Sequence, residues 1–359
     1  MSVLQYRAGA RALELLRKRG GLSAEDVSSL ILPAIGPKWL VLYGIDSALV
    51  RAGFLTAATR ARRLLLFGAS AGAWRGLALA SRDPARAIDA LRDLYCDQHF
   101  TAADTPAAIS GAYRKLLNGV LSAEDLAHVA DHPQLDLAIA TVRARGMLAR
   151  ARARNTQAAS LVAAALLNAL GPNTQRKFFE RVVFSTLVES GLKHPLLGAA
   201  PGELFALTAE NMLDAALASG TVPLYMQAVR DIMHAPEGSY MDGGFSDYHL
   251  NRQAPDDGIA LLFLHQARIV PTWNDKFLPW RKPERAWLEN VLLVHPSPEF
   301  VRALPGSKVP TRHDFKELQH QPELRIQRWR EVTERSRALG EQLLHDAQSG
   351  ALVSQAAAF

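Results

Sequence analysis

The chain has 359 residues, 48% hydrophobic and 21% charged, which gives it enough apolar side chain for a large core and excludes extended disorder or a fibrous repeat. Its 41 basic and 35 acidic residues leave a net charge of +6, a surplus that suits anionic surfaces without calling for nucleic acid. Cys96 is the only cysteine, which excludes an intrachain disulfide, and the apolar run 158–170 falls short of the roughly 20 residues a bilayer-crossing helix needs.

Residues 1–35 read as a helical lead-in. Leu4, Ala8, Leu13, Leu15 and Leu16 fall among arginines, Gly20-Gly21 interrupts the pattern, and Ser23 with Asp26 opens a second, capped helix. Arg7, Arg11 and Arg17-Lys18-Arg19 break this stretch before a secretory apolar segment develops, so a cytoplasmic setting is expected. After Pro33, Gly36 and Pro37 the apolar run 39–43, closed by Gly44, predicts a strand buried on both faces. A helix over 47–62, a strand over 64–67, a glycine-bounded turn at 68–72 and a helix through Trp74 to Ser81 follow. Further strands are predicted over 135–142 and 178–184, separated by a long Ala/Leu helix. Residues 215–223 and 238–244 read as a helix, then a short strand and turn. Closing strands fall within 259–269 and 290–294. From Pro296 onward the chain is polar and ends in an exposed amphipathic helix over about 323–347 and a soft tail. The alternation predicts an α/β fold with a mostly parallel sheet covered by helices on both faces: one domain over 36–300, a helical extension over 1–35 and a helical extension and tail over 301–359.

The chemistry centres on Gly68-Ala69-Ser70-Ala71-Gly72. This Gly-x-Ser-x-Gly sequence follows a short apolar run and opens a helix, the context in which a strained strand-to-helix turn holds a serine hydroxyl at its crest. The N-terminus of that helix favours negative charge on a developing oxyanion. Such a nucleophile needs a base. Asp242, in Asp242-Gly243-Gly244, is one candidate; the order Ser70, Asp242, His249 or His265 also permits a Ser-His-Asp triad. No zinc-type Cys/His spacing, phosphate-binding glycine loop with lysine, or nucleic-acid motif is present.

Ser70 in its elbow, the stretch 215–223 with its Ala-Ser and Pro, and Tyr240-Met241-Asp242-Gly243-Gly244 resemble, in order, the three landmarks of patatin-like phospholipases, over roughly residues 36–300. The resemblance implies a three-layer α/β/α fold and a serine–aspartate dyad, here Ser70 and Asp242, that hydrolyses lipid acyl esters through an acyl-serine intermediate without metal or cofactor. It also implies phospholipid or another acyl-ester lipid as partner, with peripheral membrane contact. The family's glycine-rich oxyanion loop is expected after the first strand. By that register it falls on Tyr43-Gly44-Ile45-Asp46, where Gly44 alone matches; Gly44, Ile45 and Ala71 are the expected N–H donors, and Asp46 would oppose an oxyanion. Two readings stand beside hydrolysis by a dyad: the triad esterase, and a lipid-binding or interaction module whose degenerate loop has impaired catalysis. Trp273, Phe277, Trp280 and Trp287, among Lys276, Arg281, Lys282 and Arg285, have the composition of an interfacial belt or of a packed core with a basic rim. The acid-free run Arg143, Arg145, Arg150, Arg152 and Arg154 could likewise face anionic lipid or plain solvent.

Overall fold

The computed structural model describes residues 2–57, 62–101, 103–151, 153–171, 173–188, 202–249 and 258–359. Its N-terminal segment differs from the helical lead-in. Leu4, Tyr6 and Ala8 are buried and alternate with Gln5 and Arg7, a period of two, so they form strand β1 (Leu4–Ala8); the helical period begins at α1 (Ala10–Arg19), which ends on Gly20 in left-handed backbone at φ 74°. A 3-10 turn with a Ser23/Asp26 capping box then leads into β2 (Val27–Leu32), buried along its whole length. Ser28 and Ser29 conceal this strand from a search for unbroken apolar runs.

The run 39–43 is correspondingly not a strand. Pro37 opens a 3-10 helix over Gly36–Leu42, and the chain continues directly into α2 (Tyr43–Arg51). Continuous apolarity here reports burial on all sides, which a helix under other helices shares with a central strand. The expected helix over 47–62 therefore ends early; 58–61 lie outside the described residues.

From here prediction and structure run together through β3 (Leu64–Ala69) and α3 (Ala71–Leu79). Helices α4 (Pro84–Cys96), α5 (Pro106–Val120) and α6 (Ala123–Ala130) lead to β4 (Leu135–Ala144), and α7 (Gly146–Arg150) and α8 (Arg154–Leu170) to β5 (Phe179–Ser185). There follow β6 (Glu203–Ala206), α9 (Met212–Gly220), β7 (Val229–Arg230), β8 (Ser239–Asp242), β9 (Ile259–Phe263) and β10 (Val291–Pro296). The chain closes with α10 (Pro298–Ala303), α11 (His313–Glu317), α12 (Pro322–Arg335), α13 (Arg337–Ser349), α14 (Ala351–Gln355) and β11 (Ala357–Ala358).

The strands build one sheet in the order β11-β1-β10-β9-β2-β3-β4-β5-β6, with β8 beside β4 and β7 beside β8. Pairing is parallel from β10 through β9, β2 and β3 to β4, and antiparallel where β1 meets β10 and where β4 meets β5 and β8. This is a three-layer α/β/α fold with a mostly parallel sheet. Residues expected to be terminal extensions belong to it: β2 lies at its centre, and β11 pairs in parallel with β1.

The C-terminal helix is also not an exposed one. It breaks at Ser336 into α12 and α13, which bury Arg325, Trp329, Val332, Leu339 and Leu343. Trp329 Nε1 donates to Asp314 (2.8 Å), and Arg325 donates to the carbonyl of Cys96 (3.0 Å). α13 crosses α2 at glycine contact distance. A Cβ on Gly340 would stand 2.1 Å from the Gly44 carbonyl oxygen, and one on Gly44 would stand 2.0 Å from that of Ser336, so neither position admits a side chain.

Candidate active site

The register of β4 brings the two candidate residues together. β3 runs along one edge of β4 and leaves it at Ala69, which stands opposite Ala140. β5 occupies the other edge from Ala138 to Ala144, so β8 must take the edge that β3 vacates, and there Asp242 stands opposite Thr141. Ser70 follows Ala69 directly. The candidate nucleophile and the candidate base, remote in sequence, thus emerge at neighbouring positions along one strand edge, where successive residues are about 3.3 Å apart.

Ser70 has φ 55° and ψ −130°, a backbone region that non-glycine residues avoid and that costs about 1–3 kcal/mol unless its surroundings impose it. They do. Gly72 permits α3 to start against the end of β2, since a Cβ there would lie 1.8 Å from the Leu32 carbonyl oxygen; at Gly68 it would lie 2.6 Å from Ala73 Cα. Ser219, buried in α9, accepts the Ser70 N–H (2.8 Å) and donates to the Ala140 carbonyl (2.6 Å), which ties the elbow to β4. The first-turn N–H groups of Ala71 and Gly72 have no acceptor within their own helix.

Asp242 is buried. Its N–H donates to the Thr221 carbonyl (2.9 Å), and its Oδ1 accepts the Gly244 N–H (2.8 Å). Desolvation pushes the carboxyl above its ordinary pKa; the Gly244 N–H, the neighbouring Ser70 hydroxyl and the charges of Arg312 and Lys276 act in the opposite direction. Gly243 and Gly244 let this turn lie against Ala140 and Ala34: added Cβ atoms would meet the Ala140 oxygen at 2.2 Å and Ala34 Cβ at 2.9 Å. Lys276 stands over the rings of Trp273 (4.8 Å) and Tyr248 (5.2 Å). Burial, with Arg312 and Lys38 close by, brings its ammonium down to about 8.

Gly44 and Ile45 are not at this site, because the strand that would have delivered them is a helix. The Gly44 N–H donates to Ser336 Oγ (2.8 Å) and Ile45 is fully buried in the core. Asp46, whose charge would have opposed an oxyanion, is held by Arg75 of α3 through paired hydrogen bonds of 2.7 Å, both side chains wholly buried. The loop that does border Ser70 and Asp242 follows β2: Leu32 and Pro33 touch Gly72, and Ala34 touches Gly244. Within it the Ala34 N–H bonds the Tyr248 carbonyl (2.9 Å) and the Ile35 N–H the Pro33 carbonyl (3.0 Å), while Gly36 turns the chain at φ 53°.

His249 and His265 are buried, their rings 6.3 Å apart, and burial reinforced by Lys38 holds both imidazoles well below their ordinary pKa. His249 Nδ1 accepts the Val270 N–H (2.9 Å), and among the described residues neither ring hydrogen-bonds Ser70 or Asp242. Also among the described residues, no group of three or more His, Cys, Asp or Glu converges as a metal site. Sequence reasoning missed the loop 33–36 and the cations Lys38 and Arg312; it singled out the Ala-Ser of 215–223 as a landmark without the brace Ser219 makes, and Lys276 as part of a belt and not beside Asp242. Lys38 had a signal in its place two residues beyond Gly36, which reading β2 as a strand would have exposed.

A family model described as patatin-like phospholipase matches residues 44–249. Among solved structures the chain is similar to human GIVD cytosolic phospholipase A2, with 12% sequence identity and a TM-score of 0.43. That match covers 96% of this chain and 63% of the other, so the chain spans less than two thirds of that protein's length. No curated protein sequence matches it.

Proposed function

The chain belongs to the patatin-like phospholipase family, and from that premise we propose that it hydrolyses carboxylic esters of phospholipids or lysophospholipids with Ser70 as nucleophile and Asp242 as base. One observation carries this reading: Ser70 and Asp242 stand at neighbouring positions along one edge of β4, and burial raises the proton affinity of that carboxylate. Asp242 accepts the hydroxyl proton as Ser70 Oγ attacks the acyl carbonyl. The oxyanion is held by N–H groups of the α3 first turn, Ala71 foremost, and of Gly36. Protonated Asp242 returns its proton to the leaving alkoxide. Water, deprotonated by Asp242, then cleaves the acyl-serine, and the proton passes back to Ser70. Arg312, Lys276 and Lys38 favour a substrate that carries an anionic group. Because the loop 33–36 borders the elbow and the Asp242 turn, Gly36 would supply the donor that Gly44 does not, which weighs against the reading as an impaired binding module. We assign the work to the cytoplasm, at a membrane met peripherally; no helix among the described residues is long and apolar enough to cross a bilayer.

A fluorophosphonate probe labels the wild-type protein at one site and fails to label Ser70→Ala or heat-denatured protein. Absence of labelling under conditions that hydrolyse a control esterase's substrate sinks the proposal. The pH profile of kcat/KM on a phospholipid gives a second result. Asp242 acts as base when ionised and its pKa is raised, so activity climbs with pH along an acid limb placed above the usual carboxylate value near 4. Loss of the Lys276 charge through about pH 8 then withdraws attraction for both Asp242 and an anionic headgroup, which gives an alkaline limb that Lys276→Gln removes. A profile flat from pH 4 to 9 contradicts both assignments.

A further inference from the structure

Helix α8 turns an apolar side to solvent. No charged residue follows Arg154 in it, Ala164 and Asn168 face inward, and Val162, Leu166 and Leu170, four residues apart, are 59%, 66% and 83% exposed. A helix on the surface of a soluble protein ordinarily reserves that side for polar groups. The apolar surface continues onto the segment beyond β9, where Phe277 and Trp280 are 67% and 68% exposed. The two pieces are joined through Asn168, which lies between Leu166 and Leu170: its Nδ2 donates to Asp275 (2.8 Å) and its carbonyl accepts from Arg281 (3.0 Å). Trp273 and Trp287 do not share this face as exposed rings. Trp273 packs against Phe245 (5.4 Å), and Arg143 of the expected basic run is bound to Glu180 (2.6 Å) while Arg152 lies outside the described residues.

Exposed cations accompany both apolar pieces along the chain and make up its basic rim: Arg150, Arg154 and Lys177 with α8, Lys282 and Arg285 after Trp280; no Asp or Glu occurs between Asp136 and Glu180, and Glu284 is the one acid from 276 to 288. We propose that this surface docks the protein on an anionic phospholipid bilayer, with Leu166, Leu170, Phe277 and Trp280 entering the headgroup boundary and the rim cations meeting lipid phosphates. Exposed patches of this kind mark interaction sites, and aromatic and aliphatic side chains ringed by cations match the depth profile of a bilayer surface. A second copy of this chain fits less well, because the rims would set cation against cation. The face also adjoins the candidate site: Phe277 directly follows Lys276, whose charge acts on Asp242. The purpose of docking rests on the lipid-hydrolase reading, but its test does not.

That test uses the full chain carrying Ser70→Ala, so that vesicles stay intact and binding is read without catalysis. In cosedimentation the protein partitions to vesicles of equal parts phosphatidylserine and phosphatidylcholine, binds phosphatidylcholine alone far less, and is released as salt rises. Leu166→Asp and Trp280→Asp each lower the partition coefficient by about tenfold or more. Met233→Asp, at another exposed apolar side chain, leaves it unchanged, and matching thermal melts exclude misfolding. The proposal fails if the protein ignores anionic vesicles or if the two variants bind as before. It fails also if sedimentation velocity shows a dimer that Leu166→Asp splits and no vesicle binding, since a second copy is then the occupant. A chain that binds in this patch-dependent manner and hydrolyses nothing keeps the docking face while losing the proposed activity.

Discussion

Asp242→Asn lowers kcat for ester hydrolysis by roughly 10²–10⁴-fold with little change in KM, whereas His249→Gln and His265→Gln retain fluorophosphonate labelling of Ser70. The asparagine has the same shape, and its Oδ1 can still accept the Gly244 N–H that now holds the carboxylate at 2.8 Å. What it lacks is a site for the Ser70 proton. Burial raises the proton affinity of Asp242 toward what that task requires, and no histidine hydrogen-bonds the pair among the described residues. Steady-state kinetics on a soluble acyl ester and on a phospholipid measure the effect. Retention of more than about a tenth of kcat would remove Asp242 from the chemistry, and loss of labelling in His249→Gln alone, with an unchanged thermal melt, would point to the triad.

Arg75→Met destabilises the protein by about 3–5 kcal/mol, the range observed when one member of a buried ion pair is removed. Arg75 and Asp46 are both fully shielded from water and joined by two hydrogen bonds of 2.7 Å, so the methionine leaves a carboxylate with no compensating charge. Among the described residues Arg75 Nη1 has no hydrogen-bond partner, which makes the cation itself an imperfectly satisfied group. The double variant Arg75→Met/Asp46→Leu therefore recovers most of the loss, and urea denaturation compares the three proteins. A single variant within about 1 kcal/mol of wild type would show the pair to be uncoupled from stability. Because Arg75 lies one turn into the helix that Ser70 initiates, the same lesion loosens the elbow, and labelling of Ser70 should weaken in parallel.

Where local chemistry dictated structure, the sequence could be read directly. The elbow is legible because small residues at 68, 69, 71 and 72 admit one backbone path, and β3, β4, β5 and β10 because their cores are unbroken apolar runs. The first strands were hidden for opposite reasons. β1 alternates with polar residues that could equally be helical, and β2 carries two serines in a fully buried strand. The run 39–43 misled through sheer apolarity, and that single error put the expected oxyanion loop at 43–46, away from the loop 33–36 that borders the elbow. Asp242 was identifiable as a candidate from its glycines, but its meeting with Ser70 depends on β8 taking over an edge of β4, a register no local pattern encodes. Lys276 and Arg312 reach the site from segments far along the chain, and Ser219 acts through a hydrogen bond from the backbone of Ser70, so the pattern that flagged Lys276 and the Ala-Ser of 215–223 could not say what they touch.

The placement of β2 has a consequence for how the protein comes to be made. This strand leaves a ribosome long before one of its two neighbours, β9, and β1 waits longer still for β10. A nascent chain thus holds its central strand half-paired until β9 is translated, with an open edge that other chains can join. Contacts of such long sequence separation form slowly. Biogenesis in the crowded cell accordingly calls for a holding chaperone or slow, cool expression, even though the finished sheet encloses that strand completely.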